Sequence, residues 1–290
     1  ATDISNGYVE IASGTLTEAA HALSAKVIDD VGNASTASST FTVTVDTSAP
    51  TAPAIASAAD DAGSITGTLA SGARTDDTAL TARVSLTGTG AAAGDSVRLY
   101  DGTTELGSAV TLTSTDISAG FKDIPTGTLT NATTYALNAR ITDLSGNASP
   151  ASASFALTID TTAPAAPTIA SATDNAGSVT GTLATASRTD DTTLSVRVSL
   201  TGTSAVAGDK VALFNGTTAL GTPATLTATD ITNDYVDITT STLVNATTYA
   251  LNAKVTDAAG NASAASAAFT TTVDTTAPNA PAITLAADDV

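Results

Sequence analysis

Apolar and polar residues alternate with a period of two in several short runs. Leu80, Ala82, Val84 and Leu86 are interleaved with Thr81, Arg83 and Ser85, and Tyr135, Leu137, Ala139 and Ile141 with Ala136, Asn138, Arg140 and Thr142. Phe155, Leu157 and Ile159 follow the same rule. Successive side chains of a strand point to opposite faces, so each run predicts a strand with one face buried and one in water. That is the requirement of an antiparallel sandwich. Asp101-Gly102, Asn215-Gly216 and Gly94-Asp95 separate the runs as turn signals. Alanine is abundant, but it is mixed with Thr, Ser and Gly at no helical period, and β-branched Thr disfavours helix interiors. The chain therefore reads as all-β.

The pattern repeats. DTSAPTAPAI begins at Asp46, DTTAPAAPTI at Asp160 and DTTAPNAPAI at Asp274, a spacing of 114 residues each time. A unit of that length is one self-sufficient domain and too long for a solenoid repeat, which buries its core only against neighbours. The expected organisation is the C-terminal part of a repeat over 1–45, complete repeats over 46–159 and 160–273, and the start of another over 274–290. Together they form tandem antiparallel β-sandwiches in an extended array. Pro50 and Pro53, like Pro164 and Pro167, restrict the backbone and predict short, stiff linkers. Tyr135 and Tyr249 occupy the place of a tyrosine corner, and the single histidine, His21, aligns with both and is expected to fill the same structural role. Residues 1–45 supply only the last strands of a sandwich. They are expected either to be cut from a longer chain or to be completed by another chain through strand addition.

Composition sharpens this picture. Hydrophobic residues make up 42% and aromatics 3%, with no Trp, Met or Cys, so the core must be built from Val, Ile, Leu and Ala with a few rings. Acidic residues outnumber basic ones 28 to 10, giving a net charge of −18. Such a field repels nucleic acid and anionic membrane and attracts cations. No apolar run is long enough to span a bilayer, and the first residues lack the features of a signal peptide. One histidine and no cysteine rule out a Cys–His pair or a multi-histidine zinc site within the chain. Glycoside hydrolysis by paired carboxylates needs a cleft, usually with sugar-stacking aromatics, and Trp is absent. The chain is expected not to be an enzyme.

The acids cluster at the ends of the repeats. With the strands placed as in an immunoglobulin-like sandwich, Asp143 and Asn147 are expected near the incoming Asp46, and Asp257 and Asn261 near Asp160, while Asp29 and Asn33 hold the same place in the partial repeat. Asp76 and Asp77, or Asp190 and Asp191, fall at the far pole, so that Asp76, Asp77, Asp160 and Asp257 are brought toward one junction. Ca²⁺ takes roughly six to eight oxygen ligands, and such a junction offers carboxylates and carbonyls. Asp60-Asp61, Asp174-Asn175 and Asp288-Asp289 form a second, weaker group. The competing reading of all these acids is that Asp and Asn simply form turns.

The motif Asp143-x-x-Gly146-Asn147, followed by Asp160-Thr161-Thr162-Ala163-Pro164 and combined with Asp76-Asp77-Thr78, resembles the bacterial Ig-like repeats of giant type I-secreted, biofilm-associated adhesins of the RTX type. The resemblance covers essentially the whole chain. It implies a cell-surface, extracellular location, Ca²⁺ within or between repeats, and a spacer role in adhesion and biofilm formation. The cation-binding aspartates it implies are Asp46, Asp143, Asp160, Asp257 and Asp274, with Asp29 in the partial repeat. Many members of that family carry proline after Asp77, whereas Thr78-Ala79-Leu80 continues here.

Three functions fit this reading. A structural spacer is favoured by repeats identical at most positions, since a specialised binding site would break the repetition; its partners would be neighbouring repeats, with a host surface, an abiotic surface or glycans met by a tip elsewhere. Weak multivalent binding of glycans or of further copies is a second. An accessory module of a secreted enzyme is a third.

Overall fold

A computed structural model describes residues 5–284. The strands are β1 (Ala19–Leu23), β2 (Phe41–Val45), β3 (Ala54–Asp60), β4 (Gly67–Leu69), β5 (Ala73–Thr75), β6 (Thr81–Ser85), β7 (Ser96–Asp101), β8 (Thr104–Thr111), β9 (Phe121–Pro125), β10 (Thr133–Thr142) and β11 (Phe155–Ile159). They continue as β12 (Thr168–Asp174), β13 (Gly181–Leu183), β14 (Ser187–Thr189), β15 (Ser195–Ser199), β16 (Lys210–Asn215), β17 (Thr218–Ala219), β18 (Ala224–Thr225), β19 (Tyr235–Thr239), β20 (Thr247–Thr256) and β21 (Phe269–Val273). The structure is nearly all β. Among the described residues no helix is long and apolar enough to cross a membrane.

Two compact units are present. One comprises Ala1–Ala56, Ala82–Ile124 and Leu137–Ser154; the other comprises Ser57–Thr81, Pro125–Ala136 and Phe155–Val290.

The second unit contains a full sandwich. One sheet has the order β13-β12-β15-β19, and the other runs β14-β21-β20-β16-β17, with β18 also paired to β16. Val196 and Val198 of β15 and Val236 and Ile238 of β19 meet Leu251, Ala253 and Val255 of β20 across the core. The alternating apolar positions are the buried ones, as period-two patterning requires. After the β12–β13 hairpin the chain changes sheets: β14 runs parallel to β21, pairing Ser187–Thr189 with Thr271–Val273. The same unit holds the earlier counterparts of these elements, β4 antiparallel to β3 and β5 parallel to β11.

In the first unit β7 pairs antiparallel with β8 and with Leu137–Thr142 of β10. Its core gathers Ala82, Val84, Val97, Leu99, Ala139 and Ile141. β1 and β2 pair with each other, and none of residues 5–45 is buried. Asn138, on the polar side of the alternation, is nevertheless buried, and its Nδ2 donates to the Gly102 carbonyl of the β7–β8 turn at 2.8 Å.

Two local features depart from the strand pattern. A six-residue helix, Ser114–Ala119, interrupts the all-β chain, and Ala228–Asn233 repeats it. Each begins with a capping box, in which the side chains of Thr113 and Asp116, or Thr227 and Asp230, bond reciprocally to each other's backbone N–H. The Thr113 hydroxyl and N–H, with Lys122, hold the Asp116 carboxyl down to about 2. The second departure is β8, whose counterpart divides into β17 and β18. Pro223 stands where the earlier repeat has Ala109, and proline removes a ladder N–H.

The tyrosine corner is formed. Tyr135 and Tyr249 are buried, and their hydroxyls accept the N–H of Thr130 at 2.7 Å and of Val244 at 2.8 Å. His21 instead approaches the Thr17 carbonyl at 2.7 Å through Nε2.

Replacing Tyr249 with Phe strands the Val244 N–H and is expected to lower stability by about 1–3 kcal/mol in urea unfolding. Asp234 closes the second helix in the left-handed region at φ 61°, where the first repeat has Gly120. Asp234→Gly is expected to raise stability by about 0.5–1 kcal/mol in the same measurement.

Candidate functional site

The Asp-x-x-Gly-Asn turn organises one pole of the repeat. Asp257 Oδ1 accepts the N–H groups of Ala259 and Asn261, both at 2.9 Å, and Oδ2 accepts Asn261 Nδ2 at 2.9 Å. Gly260 lies at φ +103°, a region few other residues enter, which lets the chain close around the carboxylate. Asp143 binds the N–H groups of Ser145 and Asn147 and the Asn147 amide in the same way, and Asp29 does so with Val31 and Asn33. The asparagine side-chain bond is the largest influence holding Asp143 and Asp29 below the ordinary carboxylate range.

The same asparagine captures the incoming linker. Asn261 Nδ2 also donates to the Asp160 carbonyl at 2.7 Å, and Asn147 Nδ2 to the Asp46 carbonyl at 3.1 Å. The linker aspartates cap their own turns: Asp46 accepts the Ser48 N–H, Asp160 the Thr162 N–H and Asp274 the Thr276 N–H. Asp46 Oδ2 also accepts the Ser145 hydroxyl at 3.2 Å. Arginine holds the other two: Arg74 lies 3.4 Å from Asp160, and Arg188 lies 2.7 Å from Asp274.

The opposite pole is built on β3–β5 and rebuilt on β12–β14. Asp60 and Asp77 are buried in a closed network, where Thr75 donates to Asp60 at 2.6 Å and Asp77 accepts the N–H groups of Ala79 and Asp61. Asp174 and Asp191 repeat it with Thr189, Thr193 and Asn175. Asp77 and Asp191 therefore turn inward as structural caps. Asp76 and Asp190 do not: their carboxylates lie over Gly63 and Gly177, where a Cβ would overlap them. Asp288 and Asp289 lie outside the described residues.

Within the second unit these two poles come together. Arg74, Asp160, Pro164, Ser204, Asp209 and Asp257 line one recess. Asp76 is pushed above the ordinary carboxylate range by burial first, and then by the charges of Asp60, Asp257 and Asp77. Burial also raises Asp209, with Asp257 adding to the effect and the Val206 and Ala258 N–H groups and Arg74 opposing it. Asp76 Oδ1 and Asp209 Oδ1 are buried without a hydrogen-bond partner. The Asp257 and Asp160 carboxylates, by contrast, already carry donors. Among the described residues no three acidic or histidine side chains lie close enough together to hold a metal by themselves, so carbonyls and water would have to complete any shell.

The sequence reading did not single out Arg74, Arg188 or Asp209. The arginines were detectable in principle, because they recur at the 114-residue period in a chain with only 10 basic residues. Asp209 recurs from Asp95 but sits in an ordinary turn, and nothing in its neighbourhood marks it.

No protein-family model matches the chain. It is 34% identical over 255 residues to Exoglucanase B of Cellulomonas fimi, a match covering 83% of this chain and 19% of that enzyme's length. Similar solved structures include the FN1–FN3 domains of chicken CNTN1, at 14% identity and TM-score 0.43 over 86% of this chain and 76% of that one. Another is a 1.5-MDa bacterial ice-binding adhesin studied for host cell surface retention, at 16% identity and TM-score 0.33 over 89% and 76%.

The raised Asp76 sets the sign of a pH effect. Its folded-state pKa lies above the unfolded value, so its contribution to stability is present below the unfolded pKa and lost as pH rises through the folded one. Asp76→Asn is thus expected to melt at a higher temperature than the parent at neutral pH in chelator. The difference should close as pH falls below the carboxylate range, and a calorimetric comparison of the two proteins reads it.

Proposed function

We propose that the chain is a run of immunoglobulin-like spacer repeats from a bacterial cell-surface adhesin, with Ca²⁺ held where consecutive repeats meet. One observation carries the reading: the same linker-capturing turn and acidic pole are rebuilt at 114-residue intervals, and where both lie in one unit they leave two buried carboxylate oxygens unpartnered around the Asp257 charge. Asp76 and Asp209 would hold the ion, with carbonyls and water completing the shell. When bound, Ca²⁺ supplies the positive charge that like-charged carboxylates otherwise lack. Asn261 fixes the linker to the turn, and Arg74 fixes Asp160, so that the chain enters the repeat in one direction. Repetition then gives length, and adhesion or biofilm formation would be the work of a tip carried by that length.

A second reading has its own support. The match to Exoglucanase B covers most of this chain but a minor part of that enzyme, which suits an accessory array within a longer secreted enzyme. The two readings share the spacer role and differ in what is carried. The sequence of the complete gene separates them, since only the second requires a catalytic domain in the same polypeptide.

Removing Ca²⁺ with EGTA is expected to lower the melting temperature and to shift the small-angle scattering profile toward a more flexible chain. Identical melting curves and identical scattering with and without chelator would remove Ca²⁺ from the proposal.

A further inference from the structure

The loop between β3 and β4 makes a direct, ion-free contact with the turn that follows β20. Ser64 Oγ donates to the Gly260 carbonyl at 2.6 Å. Ile65 lies against Gly260 so closely that a Cβ there would stand 3.3 Å from the Ile65 nitrogen and 3.4 Å from its Cβ.

The repeats provide internal controls for what this contact does. Val179 holds the place of Ile65 one period later, where no such turn is seated among the described residues, and it is 80% exposed against 42% for Ile65. Ser145 and Gly146 hold the places of Ala259 and Gly260 one period earlier. Residues 1–45 contain no counterpart of the β3–β4 loop, and there the turn is exposed, with open space at Gly146. In the paired case Ala259 is 2% exposed and Gly260 is buried.

The loop is also shaped in advance. The Asp76 carboxylate fills the space beside Gly63, and Asp190 fills it beside Gly177, although Val179 is uncovered. Covering part of Ile65 and a glycine turn needs no cation and is insensitive to chelator.

We infer that Ser64 and Ile65 form a receptor notch for the Asp-x-x-Gly-Asn turn of the following repeat, and that Ser178 and Val179 are the same notch open to a further turn of that kind. The glycine that the turn needs for its positive φ also lets the notch sit close, since a Cβ at 260 would press on Ile65 at 3.3–3.4 Å. The inference deepens the spacer reading and rests on it for purpose, while its mechanism is separate from Ca²⁺.

The chain has no cysteine, so Thr68→Cys and Thr182→Cys, at exposed matched positions of β4 and β13, place one spin label on each side of the joint. Pulsed electron resonance on the full chain then reads the distance distribution. In Ca²⁺ the parent is expected to give one narrow peak, which Ile65→Asp loses. In EGTA the parent remains narrower than Ile65→Asp. Val179→Asp, the same change at the uncovered notch, keeps the narrow peak, and circular dichroism confirms that each variant folds. If Ile65→Asp matches the parent in either condition, or if Val179→Asp broadens the peak equally, the notch is overturned. A parent trace identical with and without EGTA sinks the Ca²⁺ reading and leaves the notch standing.

Discussion

Asp257 accepts two backbone N–H groups and one side-chain amide, and the pole of the repeat is assembled around that saturated carboxylate. A five-residue turn cannot bury apolar side chains, so its shape must come from hydrogen bonds to a charged acceptor, which are stronger than neutral ones. Once the turn is closed, the spare proton of Asn261 reaches the Asp160 carbonyl. Linker direction follows from that one capped loop, while the burial of Gly260 comes from the β3–β4 loop seated on it, since Gly146 in the same kind of turn is exposed.

The places where the two complete repeats differ are informative for the same reason. Pro223 replaces Ala109 and splits a peripheral strand, and Asp234 replaces Gly120 at a helix end in spite of a left-handed backbone. Both changes fall away from the poles. At the poles Arg74 and Arg188, Asp76 and Asp190, and Gly63 and Gly177 are copied, while Asp61, Ile65 and Ser145 give way to Asn175, Val179 and Ala259.

Much of the sheet core was legible in the sequence. Leu80, Val84, Leu137, Ile141, Leu157 and Ile159, read from alternation alone, are fully buried, because a two-residue period leaves only one choice of inward face. The short helices were not anticipated. Their Thr-x-x-Asp boxes were present, but the six residues Ser-Thr-Asp-Ile-Ser-Ala carry no helical periodicity, and the cap alone defines the element. β5 and β14 were equally hidden, since three residues are too few to show a period. The site was legible as far as the local turns of Asp29, Asp143 and Asp257. What could not be read were approaches across the sandwich, such as Arg74 to Asp160, separated by 86 residues. Nor could the sequence show that Asp77 and Asp191 would bond to their own loops while the carboxylates of Asp76 and Asp190 lie over Gly63 and Gly177.

The parallel pairing of β21 with β14 bears on mechanics. Asp274 leaves the sandwich directly from the end of β21, and its N–H is still bonded to the Thr189 carbonyl. Tension applied through the departing chain pulls β21 along its own axis, past β14 on one side and β20 on the other. The bonds of both ladders then carry the load together instead of parting one at a time from a free end. A sandwich built this way yields to such tension only when a whole strand slides.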